Sequence, residues 1–263
     1  MTTWQVGPDG AVDRPGGYGV GQRPGAGATV VERPALDYYL VHPPGGPGAG
    51  RPVGLLVEEF VFGDDHAAVR LDGAGWTAGE RRWWDSAAFS RAIRADRRVR
   101  ERVAPVDRST AEAVHRRLGG DDLPDENALR GHFGAGVAIP AAAPLRLGDE
   151  VTDGYRDTRV YRILFANALS WDGLAQLQTR WRMTIAEDAA DPHARVVGTA
   201  HLRVGADAYT WQVRRVAGGA AWCLDVTVDL AAHGDDTVRP LLRSLTAAMR
   251  AQGLIPVTVE RFS

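Results

Sequence analysis

The chain has 263 residues and a formal net charge of −2, and all 31 of its basic side chains are arginines because lysine is absent. Without lysine there can be no internal aldimine for pyridoxal phosphate, no Schiff-base aldolase and no Walker-A phosphate loop. The bias toward Ala, Arg, Gly and Val is typical of a GC-rich bacterial genome, so we expect a bacterial protein.

The single cysteine, Cys223, excludes an internal disulfide and a cysteine-based zinc site. The N-terminus shows no basic segment followed by an apolar one, and no apolar run approaches the roughly 20 residues of a membrane span. We therefore expect a cytoplasmic chain that does not enter a membrane. No cofactor motif is present, and we expect no cofactor.

The N-terminal third is predicted to contain an arm and a small sheet. Residues 1–30 combine many Gly and Pro with few large apolar groups, which favours a flexible arm. Residues 31–78 are predicted to form a small β layer that is rich in loops. Its strands are expected at 36–42, 53–62 and 67–71.

Residues 79–135 are predicted to be helical. Apolar residues at helical spacing indicate a first helix that ends before Pro105. Ser109 and Glu112 have the spacing of a capping box and predict the start of a second helix. A third, short helix is expected after Pro124.

Residues 136–263 are predicted to form an antiparallel sheet with a C-terminal helix. Apolar and polar residues alternate over 180–185, 199–204, 209–213 and 222–230. A stripe at helical spacing follows, made of Val238, Leu241, Leu242, Leu245 and Met249. The predicted fold class is α+β: a curved antiparallel meander covered by the C-terminal helix, with 31–263 compatible with a single domain.

The same alternation assigns a polar face to the meander. It is predicted to carry Arg180, Arg182, Thr184, Thr199, His201, Arg203, Thr210, Gln212, Arg214, Cys223, Asp225, Thr227 and Asp229. The favoured interpretation is a solvated face crossed by arginine–aspartate pairs. The alternative is a catalytic site in which Asp225 orients His201 as an acid–base group. Arg182 and Arg203 would then hold an anionic ligand, and Trp211 and Trp222 would form the wall of its pocket.

A basic block lies in the helical segment. Residues 80–118 contain eleven arginines and six acidic residues, and Arg91, Arg94, Arg98 and Arg102 are predicted to lie on one helical face. Residues 119–158 contain eight acidic residues and three arginines, so the favoured interpretation is that the two blocks neutralise each other. Nucleic acid is therefore disfavoured as a partner.

Two function classes remain open from the sequence. The favoured one is a non-enzymatic binding or interaction protein whose partner is a small molecule or a protein, a homodimer included, because no catalytic motif is present. The alternative is a cofactor-free enzyme, such as a cyclase, isomerase or dehydratase, acting on a small organic molecule in a cavity of the curved sheet. No metal site is expected, because Asp64, Asp65 and His66 are adjacent on a turn rather than at ligand spacing.

Overall fold

The chain adopts an α+β fold with two antiparallel sheets. The computed structural model describes residues 35–140, 151–232 and 234–263, all of which belong to one compact unit, Ala35–Ser263. The arm predicted at 1–30 lies outside the described residues. Within the described ranges neither sheet closes on itself, because each has two edge strands.

The first sheet is built from strands of the N-terminal half. They are β1 (Asp37–Val41), β2 (Gly54–Phe62), β3 (Ala68–Thr77), β4 (Trp83–Asp85), β5 (Val103–Val106) and β6 (Val137–Ala138). Their spatial order is β4, β3, β2, β1, β5, and β6 pairs with β3. The segment 79–135, predicted as helical, therefore also supplies strands. Trp83, Trp84, Val103 and Val106 are aromatic and β-branched residues, which favour extended structure.

The second sheet comes from the C-terminal half. Its strands are β7 (Asp157–Ala166), β8 (Thr184–Ile185), β9 (Val196–Val204), β10 (Asp207–Val216), β11 (Ala221–Leu230) and β12 (Ile255–Arg261). Their spatial order is β12, β7, β11, β10, β9, β8. The meander β9–β10–β11 follows chain order, as predicted, but β7 reaches its place beside β11 from a distant part of the chain.

The helices are α1 (Ala87–Ala95), α2 (Arg97–Arg100), α3 (Arg108–Arg117), α4 (Glu126–Arg130), α5 (Trp171–Trp181) and α6 (Val238–Arg250). The first predicted helix is divided at Asp96, whose extended backbone ends α1 and whose side chain caps α2. The expected face of four arginines is therefore interrupted. The capping box was also placed wrongly: the carboxylate of Asp107, not Ser109, accepts the Thr110 N–H at the start of α3.

The prediction of a strand at 180–185 is wrong for most of its length. Arg180 and Trp181 are the last residues of α5, and the strand β8 holds only Thr184 and Ile185. The hydroxyl of Ser170 caps α5 by accepting the Gly173 N–H. At the other end Arg182 adopts a left-handed conformation (φ 50°), which turns the chain out of the helix.

The main hydrophobic core lies between α6 and the inner face of the second sheet. The helix contributes Val238, Leu242, Leu245 and Met249, each at most 1% exposed. Tyr161, Val213, Leu224 and Val226 from the sheet pack in the same cluster. The inner face is not covered along its whole length, because Leu202 and Val204 at the end of β9 are 40% and 42% exposed.

Buried ion pairs connect the first sheet to the helices α1 and α6. Arg94 of α1 donates two hydrogen bonds to the Glu58 carboxylate of β2, at 3.0 and 2.8 Å, and a third to the Pro256 carbonyl of β12. Arg250 of α6 pairs with Asp37 of β1 at 2.7 Å. Arg94 thus lies in the interior, and its charge is balanced by Glu58 rather than by the acidic block at 119–158. Only Arg116 and Asp122 form a described ion pair between the two blocks.

We expect Arg94→Met to lower the free energy of unfolding by about 3–5 kcal/mol, because it leaves the Glu58 charge buried and unpaired. The Glu58 side chain is 1% exposed and the Arg94 side chain 11%. Urea denaturation measures the change. The matched control is Arg97→Met, which removes an arginine that is 83% exposed and should leave stability nearly unchanged. Equal effects of the two substitutions would contradict a structural role for the Arg94–Glu58 pair.

Candidate functional site

The structure divides the site residues predicted from the sequence between two cavities. Arg182, His201 and Trp211 line one of them. The other lies on the outer face of the second sheet, where Asp225 bonds to two arginines that line it, whereas Trp222 is buried on the inner face and lines neither. Arg203 lies on β9 with an exposed side chain and lines neither cavity.

The first cavity, here called the tryptophan cavity, has a volume of about 430 Å³. It lies where the end of α5, the strands β9 and β10, and the helix α6 meet. Its lining residues are Arg180, Trp181, Arg182, His201, Leu202, Trp211, Leu241, Ser244 and Leu245. The volume falls within the range of about 300–1,000 Å³ that small-molecule sites occupy.

Apolar side chains form most of the tryptophan cavity. The Trp181 and Trp211 rings meet edge to face, with centroids 5.8 Å apart and an interplanar angle of 86°. Trp211 and Leu245 belong to the core and are almost fully buried, so this part of the wall is rigid. The exposed Leu202 side chain extends the apolar surface toward solvent.

The polar groups of the tryptophan cavity are cationic or neutral, and no acidic residue lines it. Arg180 and Arg182 make no side-chain hydrogen bond or ion pair with any described residue. His201 is exposed, and its Nδ1 lies 2.9 Å from the Thr210 hydroxyl. Arg180 lies in the last turn of α5, and the left-handed turn at Arg182 directs the chain from α5 into β8; both arginines line the cavity.

His201 and Asp225 do not form a catalytic pair. They lie on β9 and β11, which are separated by β10, and Asp225 is opposite Gln212 whereas His201 is opposite Thr210. Two strand spacings separate them by roughly 10 Å across the sheet. The Asp225 carboxylate, predicted as the partner of His201, instead accepts hydrogen bonds from Arg162 and Arg214.

The second cavity, here called the arginine cleft, lies on the outer face of the second sheet. Its volume is about 590 Å³, and it is lined by Arg162, Pro192, His193, Ala194, Arg195, Arg214, Arg215, Val216, Ala217, Gly218 and Cys223. Arg162 donates to both oxygens of Asp225 at 2.6 and 2.8 Å. Arg214 donates to the same carboxylate at 2.6 Å. Asp225 therefore orients two arginines at the edge of the cleft.

Trp222, predicted as the wall of a ligand pocket, lines neither cavity. It is buried on the inner face of the sheet, and the Arg215 guanidinium lies 5.4 Å from its ring. Arg215 donates to the carbonyls of Asp191 and Ala189 at 2.6 and 2.8 Å. These hydrogen bonds hold the loop before β9 against β10, so the Arg215 guanidinium has a structural role.

Two ionisable groups beside the arginine cleft have shifted pKa values. Burial raises the pKa of the Cys223 thiol to about 11, and the nearby charge of Asp225 acts in the same direction. Burial alone would also raise the pKa of Asp225. However, the hydrogen bonds and charges of Arg162 and Arg214 outweigh burial, and the pKa of Asp225 is lowered. At neutral pH the cleft therefore contains a neutral thiol and an ionised carboxylate.

Comparison with protein-family models, curated proteins and solved structures finds no match to this chain. Function must therefore be inferred from the residues themselves. Within the described ranges, no helix is long and apolar enough to cross a membrane. In the same part of the chain, no three His, Cys, Asp or Glu side chains meet where they could hold a metal ion.

We expect Cys223 to resist alkylation by iodoacetamide at pH 7.5, because the thiolate is the reactive form. A pKa near 11 makes the thiolate about 100-fold or more scarcer than in a free cysteine. Mass spectrometry of the native protein over time measures the rate. The same reaction in denaturant is the control and should be fast. Rapid modification of the native protein would show that the thiol is ionised and accessible.

Proposed function

We propose that this chain is a non-enzymatic binding protein of the bacterial cytoplasm, and that its ligand is a small organic acid with an apolar body, held in the tryptophan cavity. The observation that carries the proposal is the pair Arg180 and Arg182, which have no partner among the described residues and lie beside an apolar wall. A carboxylate on the ligand would supply the missing partner.

The apolar part of the ligand is inferred from Trp181, Leu202 and Trp211. Apolar surface removed from water contributes about 25 cal/mol per Å². The exposed Leu202 and the partly buried Trp181 offer such surface to a chain or ring of matching size, and Trp211 supports Trp181 from the core. Because the tryptophan wall is part of the core, little ordering entropy would be lost on binding.

The acidic part of the ligand is inferred from the charge of the cavity. Arginine presents a planar set of donors that matches a carboxylate in two parallel hydrogen bonds. Arg180 and Arg182 together would favour one negative charge, and Ser244 adds a neutral hydroxyl. A cationic ligand would meet only repulsion here, since no carboxylate lines the cavity.

Binding is favoured over the alternative of cofactor-free catalysis. An acid–base enzyme would need a histidine whose orientation and basicity are set by a second group. His201 has only the Thr210 hydroxyl beside its Nδ1, and Asp225 is engaged on another strand. The cavity offers groups for recognition but no described pair that would move a proton.

Displacement of anilinonaphthalene sulfonate, an amphipathic anion that fluoresces in apolar sites, tests the proposal. We expect octanoate to displace the dye more effectively than octanol, because only octanoate carries the charge for Arg182. The substitution Arg182→Gly should weaken octanoate binding about tenfold, as expected for the loss of a charge-assisted hydrogen bond. It should leave stability unchanged or slightly higher, since glycine adopts the left-handed conformation of this residue without strain.

The matched control is Arg98→Ala, which removes an exposed arginine of α2 far along the chain from this cavity. Octanoate affinity should not change in this variant. The proposal fails if octanol and octanoate displace the dye equally, or if Arg98→Ala and Arg182→Gly have the same effect. Circular dichroism in the near ultraviolet verifies that each variant retains native packing during the titration.

A further inference from the structure

We propose that the arginine cleft is a second binding site and that it takes a phosphate group. This site is independent of the tryptophan cavity, because no residue lines both. Trp211 belongs to the inner face and Arg214 to the outer face, where it bonds to Asp225. The proposal therefore does not rest on the function proposed above.

The arginines of the cleft are already oriented before any ligand binds. Asp225 holds Arg162 through two hydrogen bonds and Arg214 through one, and its own side chain is only 14% exposed. The Phe262 ring lies 4.7 Å from the Arg162 guanidinium and restricts it further. Fixed donors lose little side-chain entropy on binding, which distinguishes this cleft from a surface with mobile arginines.

The charge of the cleft is not balanced. One carboxylate, Asp225, faces two arginines, and a third, Arg195, has no ion pair or side-chain hydrogen bond among the described residues. Glu260 is opposite Arg162 on β12 but makes no described ion pair with it. Four arginines line the cleft, Arg215 included, and they exceed Asp225 and Glu260 by two positive charges.

A phosphate group fits these donors better than a carboxylate does. Three arginines approach the cleft from different elements: Arg162 on β7, Arg214 on β10 and Arg195 just before β9. A tetrahedral dianion can accept hydrogen bonds in three directions, whereas a carboxylate accepts in one plane. The neutral Cys223 thiol beside them adds no negative charge that would oppose the ligand.

The phosphate can be free or attached to a larger molecule, and the volume of about 590 Å³ leaves room for an organic body beside it. Isothermal titration calorimetry at constant ionic strength, with inorganic phosphate and with glucose 6-phosphate, separates the two sources. We expect one binding event per chain. Tighter binding of glucose 6-phosphate identifies a phosphate ester as the ligand, and equal affinities identify free phosphate.

Two variants test the assignment to the cleft. Arg195→Ala removes an exposed arginine without a described partner, so the fold should be retained and phosphate affinity should fall about tenfold. Arg214→Gln should weaken binding at least as much, and the Arg195 variant preserves the test if this second variant fails to fold. Arg98→Ala removes the same charge elsewhere and should leave the affinity unchanged, as should Arg182→Gly in the tryptophan cavity.

The proposal is overturned if neither phosphate compound produces binding heat beyond that of chloride at the same ionic strength. It is also overturned if Arg98→Ala weakens binding as much as Arg195→Ala, because the effect would then come from net charge alone. Failure of octanoate to bind the tryptophan cavity would leave this result unaffected, since the two titrations use different ligands and different variants.

Discussion

Two acidic side chains lie opposite each other in the first sheet, and the structure depends on their neutralisation. Asp37 and Glu58 are directly paired residues of β1 and β2, where like charges repel. Arg94 and Arg250 reach them from two different helices, and each arginine also donates to a backbone carbonyl, Pro256 and Tyr38 respectively. Charge balance within β1 and β2 is thereby linked to the position of α1, α6 and β12.

On the outer face of the second sheet a carboxylate is again paired with arginines, but here the charges are not equal in number. Asp225 faces two arginines instead of one, and these are 37% and 29% exposed rather than buried. In the interior, the two carboxylates Asp37 and Glu58 are matched by the two arginines Arg94 and Arg250, and the pairs stabilise the fold. At the arginine cleft the carboxylate orients more positive charge than it cancels, and the remainder is available to a ligand.

The sequence predicted well the elements whose pattern is local. The helix α6 and the strands β9–β11 each bury one face against a single neighbouring layer. The spacing of their apolar residues was therefore enough to identify them. The alternation gave a wrong prediction at 180–185, because the last two residues of α5, Arg180 and Trp181, continue the alternating pattern of β8. The signals for a helix were the capping residue Ser170 and the helical spacing of Leu174 and Leu177. Arg162 was missed because its partner Asp225 depends on a strand pairing that no local pattern reveals.

β7 pairs with β11 and β12, and both of these strands are synthesised after it. This order affects folding during synthesis. Arg162 and Asp225 are 63 residues apart, so at about 5–20 residues per second β7 leaves the ribosome roughly 3–13 s before its first partner strand is complete. During that interval both of its hydrogen-bonding edges are open to other chains. Charged residues on such a strand oppose edge-to-edge aggregation. Arg159, which also pairs with Asp157 of β7 itself, and Arg162 provide such charges before Asp235 and Asp225 are synthesised.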